Sequence, residues 1–358
     1  MNILTRYLGR EIYGNVVLVF SALILLFAFL DFVNELNSLG QGQYRLAYVL
    51  LFVALTIPGH VYELFPVAVL VGTISALVHM AANSELTVYR ASGASLGQMV
   101  GALFKIALPL VVLSFVCGEF IAPPSERMAQ QLRLKAKNSQ VSLQEFRSGV
   151  WVKDEQSFVN VKNVMPDTSL HNISIYKFDD AYHLRSVISA KRADFIEARH
   201  WQLSESVETR FDNSTTTVQT HATQEWTSDL SPDLLSVLLV VPEQMSAWNL
   251  YQYVEHLRDN HQQSGRYEIA MWNKLIYPIA VWVMMILALP FAGHQHRSGG
   301  IGAKMFMGIV LGLAFHFVGR LFASLGALNN WQPVLSASAM TVLFLLIGVS
   351  MLWWTERR

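Results

Sequence analysis

The residues that could do chemistry fall into a few groups. Gly93-Ala94-Ser95-Leu96-Gly97 has the form G-x-S-x-G. A nucleophile elbow needs a strand–turn–helix setting in an α/β sheet, and this segment lies between two long apolar runs, so no nucleophile is expected there. His294-Gln295-His296 offers two imidazoles with no third ligand nearby, which is too few for a zinc site. Ser298–Lys304 is glycine-rich, but its spacing is wrong and no strand precedes it, as a phosphate loop would require. Neither G-x-x-x-x-G-K-[ST] nor H-E-x-x-H occurs, so any ATP must be hydrolysed by a partner. The single cysteine, Cys117, excludes an internal disulfide, a Cys-based zinc site and c-type haem. The chain is therefore expected to have no catalytic residues, no metal site and no cofactor of its own.

Three sets of charged side chains remain. Ser125–Lys137 carries Arg127, Arg133, Lys135 and Lys137. On a helix Arg133 and Lys137 share a face while Lys135 points elsewhere, and the arginine fork suits a phosphate. The segment Ala82–Gln98 holds Glu85, Leu86 and Arg90. A carboxylate early in a short helix complements the helix dipole and can pair with a partner's arginine. Asp31, Glu63, Lys105, Glu119, His316 and Arg320 lie in or near apolar runs. A charge at mid-bilayer costs about 2.5–3.5 kcal/mol on insertion scales. Most of these groups are near run ends, so snorkelling to water is the expected explanation. They form no regular Asp/Glu/His relay.

These groups are carried by a chain of 358 residues, 53% apolar and only 15% charged, against roughly 25% charged in soluble domains. Residues 1–120 hold 11 charged side chains and 273–358 hold 7, while 121–272 hold 34. Two membrane blocks around a water-soluble insert explain this. A simple cytosolic enzyme, a disordered chain and a coiled coil do not. Zero net charge argues against a general nucleic-acid binder. A bilayer core of ~30 Å needs about 20 apolar residues. Ile12–Val33, Gly101–Phe120, Leu275–Gly293, Met305–Leu325 and Val334–Trp354 meet that length. Tyr48–Ala82 is longer and contains Pro58-Gly59 and Pro66. Because proline breaks helices, it is expected to divide into a helix Leu46–Ile57 and a span Phe65–Ala82. Six spans then place Arg6, Arg10, Arg90, Arg297, Lys304 and Arg357-Arg358 on one side, which the positive-inside rule makes cytoplasmic. The insert lies on the other side.

Within the insert, Trp201, Leu203, Val207 and Phe211 alternate with polar residues, the pattern of a strand with one wet face. Val150–Val152, Ser157–Val164 and His171–Phe178 are further strands, and Asp179-Asp180 and Asp212-Asn213 supply turns. An antiparallel sandwich, a jelly roll or an open barrel fits this spacing. After Pro242 the period becomes helical through Leu250, Tyr253, Val254 and Leu257, with Ser246 as N-cap. The expected organisation is 1–137 for the first membrane block, 138–245 for the β domain and 246–358 for a connecting helix and the second block.

Several strings then resemble the lipopolysaccharide export permeases, the LptF/LptG family. They are Ser84-Glu85-Leu86 with Ala91-Ser92-Gly93, Gly118-Glu119-Phe120-Ile121-Ala122-Pro123, and Gly265-Arg266-Tyr267 with Met271-Trp272-Asn273-Lys274. Gly40-Gln41-Gly42 and Gly149–Asp154 look like the G-type subunit. The resemblance implies a jelly-roll-like periplasmic domain and a bacterial inner-membrane location. It implies an F-type permease subunit as partner, a cytoplasmic ATPase dimer that binds ATP-Mg, a membrane-anchored accessory subunit and a periplasmic bridge protein. The substrate implied is lipopolysaccharide or lipooligosaccharide, taken from the membrane and passed along the β domain, where inward-facing Trp201 and Leu203 would meet it. Glu85, Leu86 and Arg90 would sit in the helix that couples to the ATPase. Arg133, Lys135 and Lys137 would meet lipid phosphates. Family members carry lysines near the end of span 1, but Asp31, Asn37 and Ser38 stand at the matching positions, so no lysine cluster is expected there.

A secondary transporter of a lipid or amphiphile is the alternative reading. It would need coupling-ion groups at mid-membrane, often on broken helices in related halves, and no clear pair is present. A membrane-anchored adhesive protein would leave the six spans without a purpose. Reporter fusions at Gln140 and after Arg358 are expected to report opposite sides of the membrane. The same side for both would refute the six-span arrangement.

Overall fold

The computed structural model describes residues 3–41, 43–85, 88, 91, 95–136, 141–142, 150–154, 156–164, 169–179, 181–197, 199–212, 215–228, 230, 242–259, 262–293 and 301–356. The first helical block contains α1 (Ile3–Leu36), α2 (Leu46–Ala82) and α3 (Leu96–Val116). A π-helical turn at Cys117–Ile121 joins α3 to α4 (Ala122–Ala136). The strands follow: β1 (Val141–Ser142), β2 (Val150–Asp154), β3 (Ser157–Val164), β4 (Leu170–Phe178), β5 (Leu184–Glu197), β6 (His200–Phe211) and β7 (Thr216–Thr227). The return consists of α5 (Ala247–Asp259), α6 (Gly265–Ile276), a 3₁₀ turn at Tyr277–Ile279, α7 (Ala280–Gly293), α8 (Ile301–Leu328) and α9 (Pro333–Glu356). Six helical segments among these are long and apolar enough to cross a membrane. The membrane bundle with an inserted all-β domain is therefore present as expected.

One expectation fails. The chain from Leu46 to Ala82 is a single helix of 37 residues, with Pro58 and Pro66 inside it. Proline removes a backbone N–H and leaves carbonyls of the preceding turn unsatisfied. In a membrane bundle, neighbouring side chains can satisfy them. Here the polar contacts fall beside those positions: Ser125 Oγ donates to Leu55 O at 2.6 Å and Tyr277 Oη donates to Glu63 O at 2.6 Å. Leu55 and Glu63 each lie three residues before a proline, one residue after the carbonyl that loses its donor. The rest of the bundle supports a helix that its own sequence would break.

This helix is also the axis of the bundle. Residues Leu64–Val78 are buried without interruption, and α1, α4, α7 and α8 all pack on it. At Gly72 an added Cβ would lie 2.6 Å from Val16 Cα. Without a side chain there, the backbones of α1 and α2 can meet.

The strands build one antiparallel sheet in which β3 to β7 succeed one another in space, and β1 and β2 both pair with β3. No connection that crosses between sheets occurs among the described strands. The face they bury is not a simple alternation. Along β6 the inward residues are Trp201 and Leu203, then Ser206 and Glu208. Val207 is exposed at 38% and Phe211 is only partly buried, so the expected single parity holds for half the strand. The switch falls at Glu205, whose φ is +50°, and β4 switches likewise at Asn172, whose φ is +53°. A one-residue slip exchanges the faces of a strand. The switches line up across the sheet, between the pairs Ile173–Ala190 and His171–Arg192, and between Ala190–Ser206 and Arg192–Ser204. The sheet thus creases along one row while a single apolar cluster continues past the crease.

Gly72→Ala is expected to lower stability by about 1–3 kcal/mol, the usual cost of overpacking, seen as a lower thermal midpoint in detergent. Gly14→Ala, with nothing within 4 Å of the new Cβ, is expected to leave that midpoint unchanged or raise it.

Candidate functional site

The end of the bundle away from the β domain carries the Glu85 segment. The chain turns at Ser84, whose φ is +59°, and helical conformation resumes at Glu85, Val88 and Ala91. Glu85 is held on two sides. Tyr7 Oη of α1 donates to Oε2 at 3.0 Å, and Asn83 Nδ2 donates to Oε1 at 3.4 Å. Glu85 as a residue is half-buried, and its carboxylate is tied to the first turns of span 1. Leu86 and Arg90 lie outside the described residues. Ser95 has a structural role: Oγ accepts the Gln98 N–H at 3.2 Å and the Gln98 side chain accepts the Ser95 N–H at 3.3 Å. This reciprocal capping box starts α3 and accounts for the serine in the G-x-S-x-G string. Tyr7 was not legible as a partner of Glu85. A tyrosine near the start of a span ordinarily reads as an interfacial anchor.

The other end of the bundle gathers most of the charged groups of the apolar runs. His60 Nε2 lies 2.5 Å from Asp31 Oδ2, and Thr56 Oγ1 donates to the same oxygen at 3.2 Å, joining α1 to α2. Glu63 meets His316 Nε2 at 2.9 Å and Arg320 Nη2 at 3.0 Å, joining α2 to α8. Glu119 accepts the N–H groups of Ala247 at 2.8 Å and Trp248 at 3.2 Å, and Ser246 Oγ accepts that of Asn249 at 3.2 Å. The first turn of α5 is thereby satisfied, with the carboxylate at the positive end of the helix. Lys274 is buried at 7% exposure, donates to Met245 O at 2.6 Å and lies 5.1 Å from the Tyr62 ring centroid. An added Cβ at Gly118 would lie 2.3 Å from that same ring. The motif Gly118-Glu119 thus has a steric half and a capping half. Snorkelling, expected for these groups, is replaced by bonds between elements. Only Lys105 keeps the simple reading, exposed on α3.

Arg133 reaches the same region. Its Nε lies 3.0 Å from Glu35 Oε1, and its guanidinium carbon lies 5.4 Å from the Phe52 ring centroid. Glu35 is buried while Arg133 is 37% exposed. The ion pair ties α4 to the end of α1. Nearby, burial and then the Glu35 charge push the Tyr44 phenol far above its ordinary range, so it stays neutral. Lys135 is in α4, and Lys137 lies outside the described residues. Of Arg133, Lys135 and Lys137, Arg133 is the one whose side chain is described, and it has a carboxylate partner that the sequence alone did not signal. Glu35 lies too far away in sequence to signal the pairing.

Trp201 and Leu203 are both at 0% exposure in the core of the β domain. Trp201 Nε1 donates to Leu230 O at 2.7 Å, and its ring meets Phe195 and Trp226 at centroid distances of 5.2 and 6.1 Å. They are inward-facing, as expected, and covered.

No group of three or more His, Cys, Asp and Glu side chains that could hold a metal occurs among the described residues. The polar groups here join helices and cap them. Six candidate spans and an inserted antiparallel sheet make the molecule a multi-pass membrane protein with an inserted β domain. The chain belongs to the lipopolysaccharide export system permease family LptF/LptG, whose model matches residues 6–354. It is similar to the lipopolysaccharide export system permease protein LptG of Haemophilus influenzae, with 33% identity over 100% of this chain and 99% of that protein. It is likewise similar to LptG of Escherichia coli K12, with 34% identity over 99% of this chain and 98% of that protein. Members of a permease family are not themselves enzymes.

The Glu63 cluster yields a ranked expectation. In double-mutant cycles read by thermal stability in detergent, Glu63 with His316 is expected to couple more strongly than Glu63 with Arg320. His316 is 27% exposed and Arg320 78%, so the longer and less confined arginine loses more side-chain entropy in making its contact. Equal or reversed coupling would refute the ranking.

Proposed function

We propose that the chain is the G-type permease subunit of a lipopolysaccharide exporter in the bacterial inner membrane, with the β domain in the periplasm. Full-length similarity to LptG proteins carries this reading. A substrate with acyl chains and anionic phosphates needs an apolar surface with a cationic rim. The exposed apolar side chains of α1 and α8, among them Leu25, Phe29, Phe306 and Leu313, suit the first. Arg133 suits the second: its Nε is engaged by Glu35, while a guanidinium has further N–H donors on its two Nη atoms.

An F-type subunit is the natural partner for those apolar faces. A cytoplasmic ATPase dimer holding ATP-Mg would supply the energy and would grip the Glu85 segment. The Tyr7–Glu85 bond would then pass movement of that segment to span 1 as well as to spans 2 and 3. In the β domain, lipid would follow the apolar inner face, where Trp201 and Leu203 would meet it. Among the described residues β7 pairs only with β6, so its outer edge can add a strand of a like domain in the bridge protein.

A pull-down of the intact complex in mild detergent, with mass spectrometry of bound proteins and lipids, tests the reading. Wild-type protein is expected to retain an ATPase, a second permease chain and lipopolysaccharide. Glu85→Lys is expected to lose the ATPase and keep the lipid, with a larger loss than Glu85→Ala, because it sets a lysine against the arginine that would pair with the carboxylate. Arg133→Ala with Lys137→Ala is expected to do the reverse. Wild-type protein that binds no ATPase would favour a self-sufficient transporter.

A further inference from the structure

Helix α5 is amphipathic, and one of its faces is covered. Leu250, Tyr253 and Leu257 cluster with Tyr267, Ala270 and Met271 of α6. The two helices run antiparallel, since Arg258 pairs with Glu268 at 2.9 Å near one end and Lys274 bonds Met245 at the other. The outward face begins with Trp248 and Tyr251, which are 64% and 50% exposed. Their rings stack at 6.0 Å with an interplanar angle of 26°.

Two helices fix the level of this pair relative to a bilayer. The fourth span, Gly265–Phe291, has 27 residues, about 40 Å at 1.5 Å per residue. This exceeds the ~30 Å hydrocarbon core, so its first turns stand outside, and Lys274 falls near the boundary. Independently, the apolar run of span 3 ends at Phe120, next to Glu119. Glu119 binds the Trp248 N–H and Lys274 binds Met245, so both place Trp248 at the edge of the hydrocarbon. Tyr251 lies about 4.5 Å further along the helix axis. The exposed apolar surface of span 3 continues to the same level through Val112, Val116, Phe120 and Ile121. Trp and Tyr are the side chains that favour this layer, having an apolar body and a polar tip.

We propose that Trp248 and Tyr251 anchor α5 in the lipid headgroup layer on the β-domain side of the membrane, and so fix the height of the stalk that returns from the β domain. Only the crossing of a bilayer by the six spans is required, whatever lipid is exported. The test uses the intact complex in nanodiscs. The emission of Trp248 is obtained as the difference between wild type and Trp248→Phe, because the chain has nine tryptophans. Phospholipid brominated near the headgroup is expected to remove most of this difference intensity. Bromination near the chain terminus should remove less, and aqueous acrylamide little. Strong quenching by acrylamide without quenching by bromolipid would overturn the proposal in favour of a water-exposed ring. Insensitivity to both would overturn it in favour of a ring covered by a partner chain. Trp248→Phe changes only an exposed ring, so folding is not at stake.

Discussion

Desolvated carboxylates organise the β-domain end of the bundle. A charge at the edge of the hydrocarbon is costly unless it finds an opposite charge or several donors. Asp31, Glu35, Glu63 and Glu119 each find such partners on another element. Each pairing fixes a contact between helices: α1 with α2, α1 with α4, α2 with α8, and span 3 with α5. The apolar surfaces alone would allow helices to slide, since lipid is as apolar as their side chains. The polar contacts define which residues face one another.

The same physics keeps α2 whole. Its prolines would break it in water, but Ser125 and Tyr277 donate to carbonyls in the turns just before them and tie those turns to the bundle. A continuous buried rod can move as one body. It reaches from the carboxylates at one end to the Glu85 connector at the other, and the Tyr7 bond brings α1 into that connector. At the β-domain end, Tyr62 of α2 seats against Gly118 and Lys274, while Glu119 and Met245 tie α5 to the same knot. The stalk of the β domain is thereby attached to the central helix through close contacts.

The β domain meets a different constraint. Its sheet must keep one face dry over long strands while it twists. The crease at Asn172 and Glu205 resets the inward parity on β4 and β6, so that Trp201, Leu203, Ile173 and Ile188 share one cluster. The left-handed conformation is unfavourable for a glutamate. It persists because the rows on both sides of it are paired.

The sequence by itself determined the six spans, four of the inserted strands and the family. Hydrocarbon thickness, strand alternation and the motifs around Glu85, Glu119 and Lys274 are local properties of the chain. It also showed that Ser95 lacks the setting of a nucleophile. Only the tertiary structure decided the partners: Glu35 for Arg133, His316 for Glu63, Tyr7 for Glu85, and the N–H groups of α5 for Glu119. It also joined Leu46–Ala82 into one helix and divided the parity of β6. The physical reason is common to all of these. A polar group's cost is set by whichever donors or charges come within about 3 Å, and these come from elements far apart in the chain. Periodicity shows which face of an element is buried, but not what that face meets.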